Sequence, residues 1–311
     1  MAFRYINPGY VSLLDSNVTA TEITGTTYSK TGTGFSQTNS AAGVTIPQFA
    51  QGDDFWVKFD FFVTSGAPYI YFTIPNAKKA VFYLSYGSYV FIYCYYCNLS
   101  SDDEIVVANG SVAEMGIKLN AINEVLAHIV LGSSSTAQLD LWINGKHFSK
   151  SGIDMLYSES YTKIARLWAS SSNVIFSSVI FSNEEISLRE KIIALPISST
   201  ATDMTLGENG TYIANAANQT LLQTPDVASL ITDYGANSTI MGVAVVGNPA
   251  YKTGTGITTL KSLSKSSGII TEHDLCNLSE DTLATAFSCW TLENTTIADL
   301  QNMQFGWKAG E

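Results

Sequence analysis

The sequence predicts an all-β protein made of two consecutive β-sandwiches, and three observations carry that expectation. Apolar residues recur in alternating or continuous runs separated by Gly, Asn, Ser and Pro, while the three-to-four spacing of an amphipathic helix is scarce. Charged residues make up only 14% of the 311, against roughly 25% in an average globular chain, whereas hydrophobic residues reach 46% and aromatic residues 12%. A disordered chain would be rich in charge and poor in aromatics. The polar surface must therefore come from Ser, Thr, Asn, Gln and Gly, a composition typical of extended β proteins, whose β-branched and aromatic side chains suit a pleated surface. Third, Asn144-Gly145 separates two apolar runs, and a type I′ hairpin turn needs the positive φ that Asn and Gly tolerate.

The strands follow in order. Segment 55–63 (FWVKFDFFV) places Phe55, Val57, Phe59 and Phe61 on one face and Lys58 and Asp60 on the other. Runs at 69–74, 81–84, 89–96, 105–108, 115–119 and 125–131 come next, then 139–143 and 146–148 around the Asn-Gly turn, then 164–169 and 174–181. After Asn183 one or two helical turns are expected, because Asn183 can cap them, Glu184 and Glu185 suit the positive helix end, and Arg189 and Lys191 suit the other. Pro196 stops this segment, and the domain boundary falls there: 1–195, long enough for a jelly roll of two stacked sheets, and 196–311, a smaller sandwich. Within the second part 197–208 reads as a linker or entry strand, with strands at 212–214, 219–223, 239–246, 256–263, 289–292 and 303–307 and a short helix at 296–302.

Charge excludes one class of partner. The net charge is −11, with 12 basic against 16 acidic residues in 1–195 and 4 against 11 in 196–311. Neither part has the excess of Lys and Arg on which phosphate-backbone affinity rests, so no nucleic acid is expected as partner. No apolar run approaches the roughly 20 residues of a membrane helix, and no secretory signal pattern is visible in MAFRYINPGYVSLLD.

Few residues offer catalytic or metal chemistry. Cys94 and Cys97 lie three apart in a strand, which puts their thiols on opposite faces, and Cys276 and Cys289 do not supply the second tight pair of a zinc site; whether those two pair with each other is open. His128 shares a strand face with Leu126 and Val130 and reads as a core histidine, His147 follows the Asn-Gly turn and reads as exposed, and His273 reads as part of a surface loop with Glu272 and Asp274. Asp53-Asp54, Asp102-Asp103-Glu104 and Glu184-Glu185 are adjacent in sequence and read as solvated turn charges; Asp102, Asp103 and Glu104 are a weak calcium candidate, since hard oxygen ligands suit that ion. No cofactor is expected: nucleotide-binding and zinc motifs are missing, and Gly-Thr-Gly at 32–34 and 254–256 is turn composition. The one candidate binding face is the cluster Tyr83, Tyr86, Tyr89, Tyr93, Tyr95 and Tyr96, with Tyr86, Tyr89, Tyr93 and Tyr95 as the proposed contacts, because an aromatic face stacks on a sugar ring while its polar tip hydrogen-bonds. The alternative is that these rings line the sandwich and a subunit contact.

Two resemblances extend this reading. Residues 127–145 (AHIVLGSSSTAQLDLWING), then 173–182 (NVIFSSVIFS), resemble the central and late strands of concanavalin-A-like, laminin-G-type jelly rolls. Segment 174–195 (VIFSSVIFSNEEISLREKIIAL), Gly210-Thr211-Tyr212-Ile213 and the ending 296–309 (TIADLQNMQFGWKA) resemble virion proteins of tailed bacteriophages. The first resemblance implies a fold that also hosts glycosidases. In jelly-roll glucanases the carboxyl pair comes from a Glu-x-Asp-x-Glu strand, and that pattern does not occur here. The expectation is thus a non-enzymatic virion protein of the fibre, tail-tip or capsid-decorating kind, assembled in the bacterial cytoplasm among other virion proteins. The alternative is a carbohydrate-binding module for a host surface glycan, and a glycan hydrolase comes third. With 15 Phe, 16 Tyr and 5 Trp the chain has apolar area to spare, so a homo-oligomer, trimer before dimer, is expected.

Overall fold

A computed structural model of the chain describes residues 4–7, 9, 20–25, 27, 29–38, 44–45, 53–73, 82–98, 101–130, 136–153, 164–207, 211–247, 249–251, 257, 259–277 and 286–310. They fall into two compact units, Met1–Ile192 and Ile193–Glu311.

In the first unit the strands are β1 (Arg4–Asn7), β2 (Ala20–Thr24), β3 (Thr33–Gln37), β4 (Val44–Thr45), β5 (Asp54–Val63), β6 (Tyr69–Thr73), β7 (Phe82–Ser85), β8 (Tyr89–Asn98), β9 (Ser101–Ser111), β10 (Asn123–Val130), β11 (Ala137–Ile143), β12 (Lys146–Ile153), β13 (Ile164–Ala169) and β14 (Val174–Ser182). Eight build one antiparallel sheet in the order β12-β11-β10-β5-β14-β3-β2, with β1 also on β14; six build the other in the order β4-β13-β6-β7-β8-β9. This is the jelly-roll sandwich that the sequence predicts.

Period-2 patterning creates its core. Phe55, Val57, Phe59 and Phe61 of β5, Val125, Ala127 and Ile129 of β10, and Leu139, Leu141 and Ile143 of β11 are all buried, as are Ile70, Phe72, Phe82, Leu84, Val90 and Ile92 of the other sheet. Phe72 reaches across the layer, with ring centroids 5.9 Å from both Phe55 and Phe181. Cys94 joins this layer, and burial pushes its thiol up to about 12, which makes it an inert small hydrophobe.

Turns and bulges fix the register. Asn144 (φ 51°) and Gly145 (φ 84°) form the two-residue link between β11 and β12. The Asn144 side chain also accepts from the Glu124 amide at 3.0 Å and donates to the Gly116 carbonyl at 2.8 Å, tying the turn to two other segments. Ser178 (φ 53°) sits in a bulge of β14, where the strand changes partner from β3 at Phe176 to β1 at Val179–Ser182.

Two local expectations are corrected. Residues 115–119 form turns rather than a strand, with Gly116 at φ 74° and Met115 buried beneath them. Residues 184–192 are turn and extended chain rather than helix. The reason lies in their carbonyls. Lys58 donates to the carbonyls of Leu188 (2.9 Å) and Glu190 (2.7 Å), Arg4 reaches the Glu185 carbonyl and pairs with the Glu190 carboxylate, and Ile186 is buried against Leu126 and Ile180. An α-helix would keep those carbonyls for itself. The segment is instead a strap across the outer face of the eight-stranded sheet.

The second unit contains β15 (Ile197–Thr202), β16 (Thr205–Leu206), β17 (Tyr212–Ala214), β18 (Thr220–Pro225), α1 (Ala228–Tyr234), β19 (Thr239–Gly247), β20 (Pro249–Tyr251), β21 (Thr259–Ser266), β22 (Ile269–Asn277), β23 (Ala286–Thr296), α2 (Ile297–Leu300) and β24 (Met303–Ala309). A five-stranded sheet, β15-β18-β24-β21-β22, accompanies the three strands β16-β17-β20 and the pair β19-β23. Trp307, Leu260, Leu221, Ile297 and Leu300 centre its core. The terminal motif has a physical basis: Thr296 and Asp299 form a reciprocal capping box for α2. A Cβ on Gly306 would lie 1.8 Å from the Leu221 carbonyl oxygen, so only glycine fits where β24 passes β18.

Candidate functional site

The six-stranded sheet turns an aromatic face outward. Register sets Trp168 beside Tyr71, Tyr71 beside Tyr83 and Tyr83 beside Tyr93, one position on each of β13, β6, β7 and β8. Their centroids are 3.9, 5.3 and 4.6 Å apart in turn, and the Trp168–Tyr71 and Tyr83–Tyr93 pairs are stacked. A second row carries Tyr69 opposite Ser85 and Ser85 opposite Phe91, with Phe91 stacked 5.6 Å from Tyr93. Tyr89 is exposed and its hydroxyl donates to Asn109 Oδ1 at 3.0 Å; Tyr69 is exposed as well. Thr73 and Arg166 are paired at the β6/β13 end of this face. Burial lowers the Arg166 pKa.

The four tyrosines proposed from sequence separate. Tyr89 and Tyr93 share the outer face, on the same side as Phe91. Tyr86 is buried in the sandwich, edge-on to Phe61 at 6.5 Å, where desolvation raises its phenol pKa. Tyr95 continues β8, its side chain outside the described residues. Tyr69, Tyr71 and Trp168, outside the tyrosine cluster expected from sequence, complete the face. Their signal was available: YIYFT and RLW each alternate an aromatic with an aliphatic residue, but the cross-strand register that aligns them is not in the sequence.

Asp102, Asp103 and Glu104 lie in β9, paired with Cys97, Tyr96 and Tyr95, rather than in a loop, and their side chains are outside the described residues. Among the described residues no group of three or more His, Cys, Asp or Glu is placed to hold a metal ion. Cys276 lies in β22 and Cys289 in β23.

Two of the three histidine readings are corrected, those of His128 and His273, while His147 is exposed as expected. His128 does share its face with Leu126, but that face is the outer one of the eight-stranded sheet. There it stacks on Trp56 at 4.1 Å and meets Asp54 at 3.0 Å, while His147 stacks on Trp142 at 4.7 Å and meets Asp140 at 2.9 Å. With Gln138 donating to Asp140 this network satisfies itself. His273 belongs to β22, stacked 3.8 Å from Trp290 and 2.8 Å from the Ser264 hydroxyl, while Glu272 beside it is held by Lys261 and Lys308.

No family model and no curated protein matches the sequence. Solved structures do resemble the fold. An endo-β-1,4-glucuronan lyase from the fungus Trichoderma reesei is similar over 57% of this chain and 94% of its own, at 10% identity and a TM-score of 0.39. A carbohydrate esterase of Shiga toxin-encoding bacteriophage phi24B is similar over 54% and 88%, at 12% identity and 0.38. The alginate lyase Aly36B covers 60% and 95%, at 11% and 0.33. These are likenesses of fold alone; because enzymes are among them, the expectation of a non-enzymatic chain is corrected, and the fold leaves catalysis open.

Proposed function

We propose that the first unit engages a polysaccharide along the outer face of its six-stranded sheet. The observation that carries this is the row Trp168–Tyr71–Tyr83–Tyr93. Adjacent strands lie about 4.8 Å apart, so the row extends about 14 Å; Tyr83 within it is only 4% exposed, and Trp168, Tyr71 and Tyr93 keep the part-exposed ring surface. Tyr69 and Tyr89 stand exposed beside it, and Asn109 offers an amide at its rim. Apolar ring faces with polar tips are the chemistry that recognises sugars.

Binding of the full chain to a panel of immobilised polysaccharides tests the reading. Tyr93→Ala and Tyr89→Ala are each expected to weaken binding about 5- to 10-fold, on the order of 1 kcal/mol per stacking contact. A panel that binds neither the native chain nor the variants would remove the proposal. The same mixtures, followed for shortening of the polymer, show whether the face also processes what it holds. A virion setting, which the sequence resemblance implies, would make the polymer a host surface glycan; mass spectrometry of purified particles tests that part.

A further inference from the structure

The β6/β13 end of the aromatic face holds three polar atoms without partners. Arg166 Nε, Trp168 Nε1 and Thr73 Oγ1 are each shielded from solvent and make no hydrogen bond among the described residues. Arg166 and Thr73 are direct cross-strand neighbours, and Trp168 lies two residues along β13 on the same face. Cβ atoms in such a pair are about 4.5–5.5 Å apart and those of alternate residues about 7 Å, so the three side chains frame one small region. Thr73 is only 7% exposed, and among the described residues Arg166 has no ion pair.

The chemistry of this trio is one-sided. A guanidinium and an indole N–H can only donate, and the threonine hydroxyl can donate as a third. Buried donors in native folds are rarely left unpaired. The group that would satisfy all three is acceptor-only, planar and negative, and an Arg beside an aromatic wall suits a carboxylate in particular. We propose that this end of the face is a subsite for the carboxylate of a uronic acid, so that the glycan held along the aromatic row is an acidic one. The assignment rests on the glycan reading above, and deepens it.

A polyuronate and the same polymer with its carboxyls reduced to hydroxymethyl groups separate the two ideas. The full chain is expected to bind the polyuronate about 10- to 100-fold more tightly, the range of a lost charge-assisted hydrogen-bond set. Arg166→Gln and Thr73→Val should each shrink that preference. Arg166→Lys, which keeps charge but loses the planar fork, should recover part of it. Denaturation midpoints of all three variants confirm that folded protein is compared. Equal binding of the two polymers, or an undiminished preference in Arg166→Gln, overturns the carboxylate subsite while leaving the aromatic platform standing. A sulfated neutral polymer bound as tightly as the polyuronate overturns it as well. If neither polymer binds and Tyr93→Ala changes nothing, the glycan reading itself fails.

Discussion

Glu272 is the clearest electrostatic anchor among the described side chains. Lys261 and Lys308 approach its carboxylate at 2.7 and 2.6 Å and hold its pKa down to about 2, from an ordinary 4.5. A carboxylate with a depressed folded pKa contributes stability above its unfolded value, and loses it as pH falls through the folded one. The stability difference between the native chain and Glu272→Gln should therefore be constant above about pH 5, shrink between about pH 4.5 and pH 2, and vanish below, as read by denaturant unfolding at each pH. A difference independent of pH would assign the effect to packing. Asn144 makes a second point at this scale. Its place in the turn was legible because Asn-Gly between apolar runs has one common use. Its side-chain bonds to Glu124 and Gly116 were not, since those partners lie 20 and 28 residues away in sequence. Asn144→Gly keeps the turn and loses the clamp, and is expected to cost about 1–3 kcal/mol of unfolding free energy.

Elements were legible where period and punctuation agreed. β5 alternates from Phe55 to Phe61, β11–β12 carries its turn in the sequence, and α2 announces itself through Thr296 and Asp299. β22 was missed because T-E-H-D looks like loop. The Ser267-Gly268 turn before it, with φ of 50° and 83°, is a hairpin signal of the same kind as Asn-Gly. The strap at 184–192 was misread for a different reason. Its capping residues and charge order do favour a helix locally, but tertiary partners claim its carbonyls. Lys58 is 4% exposed and its pKa is lowered by that burial, with Glu124 at 3.5 Å opposing the shift. Removing such a buried, paired cation leaves two carbonyls unanswered and Glu124 with Lys30 as its remaining ion-pair partner among the described residues. Lys58→Met should accordingly destabilise the chain by about 3–5 kcal/mol and expose 184–192 to limited proteolysis first. Cleavage that begins elsewhere, at unchanged stability, would show that Arg4 and Ile186 hold the strap without Lys58.

At the scale of the whole molecule, charge and ligand pull in opposite directions. The chain carries −11 overall, and its first unit has 12 basic residues against 16 acidic, so it repels a polyanion at a distance. The proposed carboxylate contact is local, at one guanidinium whose Nε is buried. Salt acts on these two terms unequally. The screening length falls from about 30 Å at 0.01 M to about 10 Å at 0.1 M, which removes most of the long-range repulsion, whereas a desolvated contact of a few ångströms is screened far less. A protein that held an acidic polymer by a basic patch would lose affinity steeply as salt rises, one counterion released per neutralised charge. Here the expected curve rises or stays level between about 0.01 and 0.1 M salt, in a titration of the native chain with a polyuronate. With a neutral glycan of the same backbone the curve should be flat throughout. Arg166→Gln should lower the polyuronate curve across this range, because it removes the subsite's cation. A steep fall with salt in the native chain would mean that a cationic surface outside the aromatic face carries the binding.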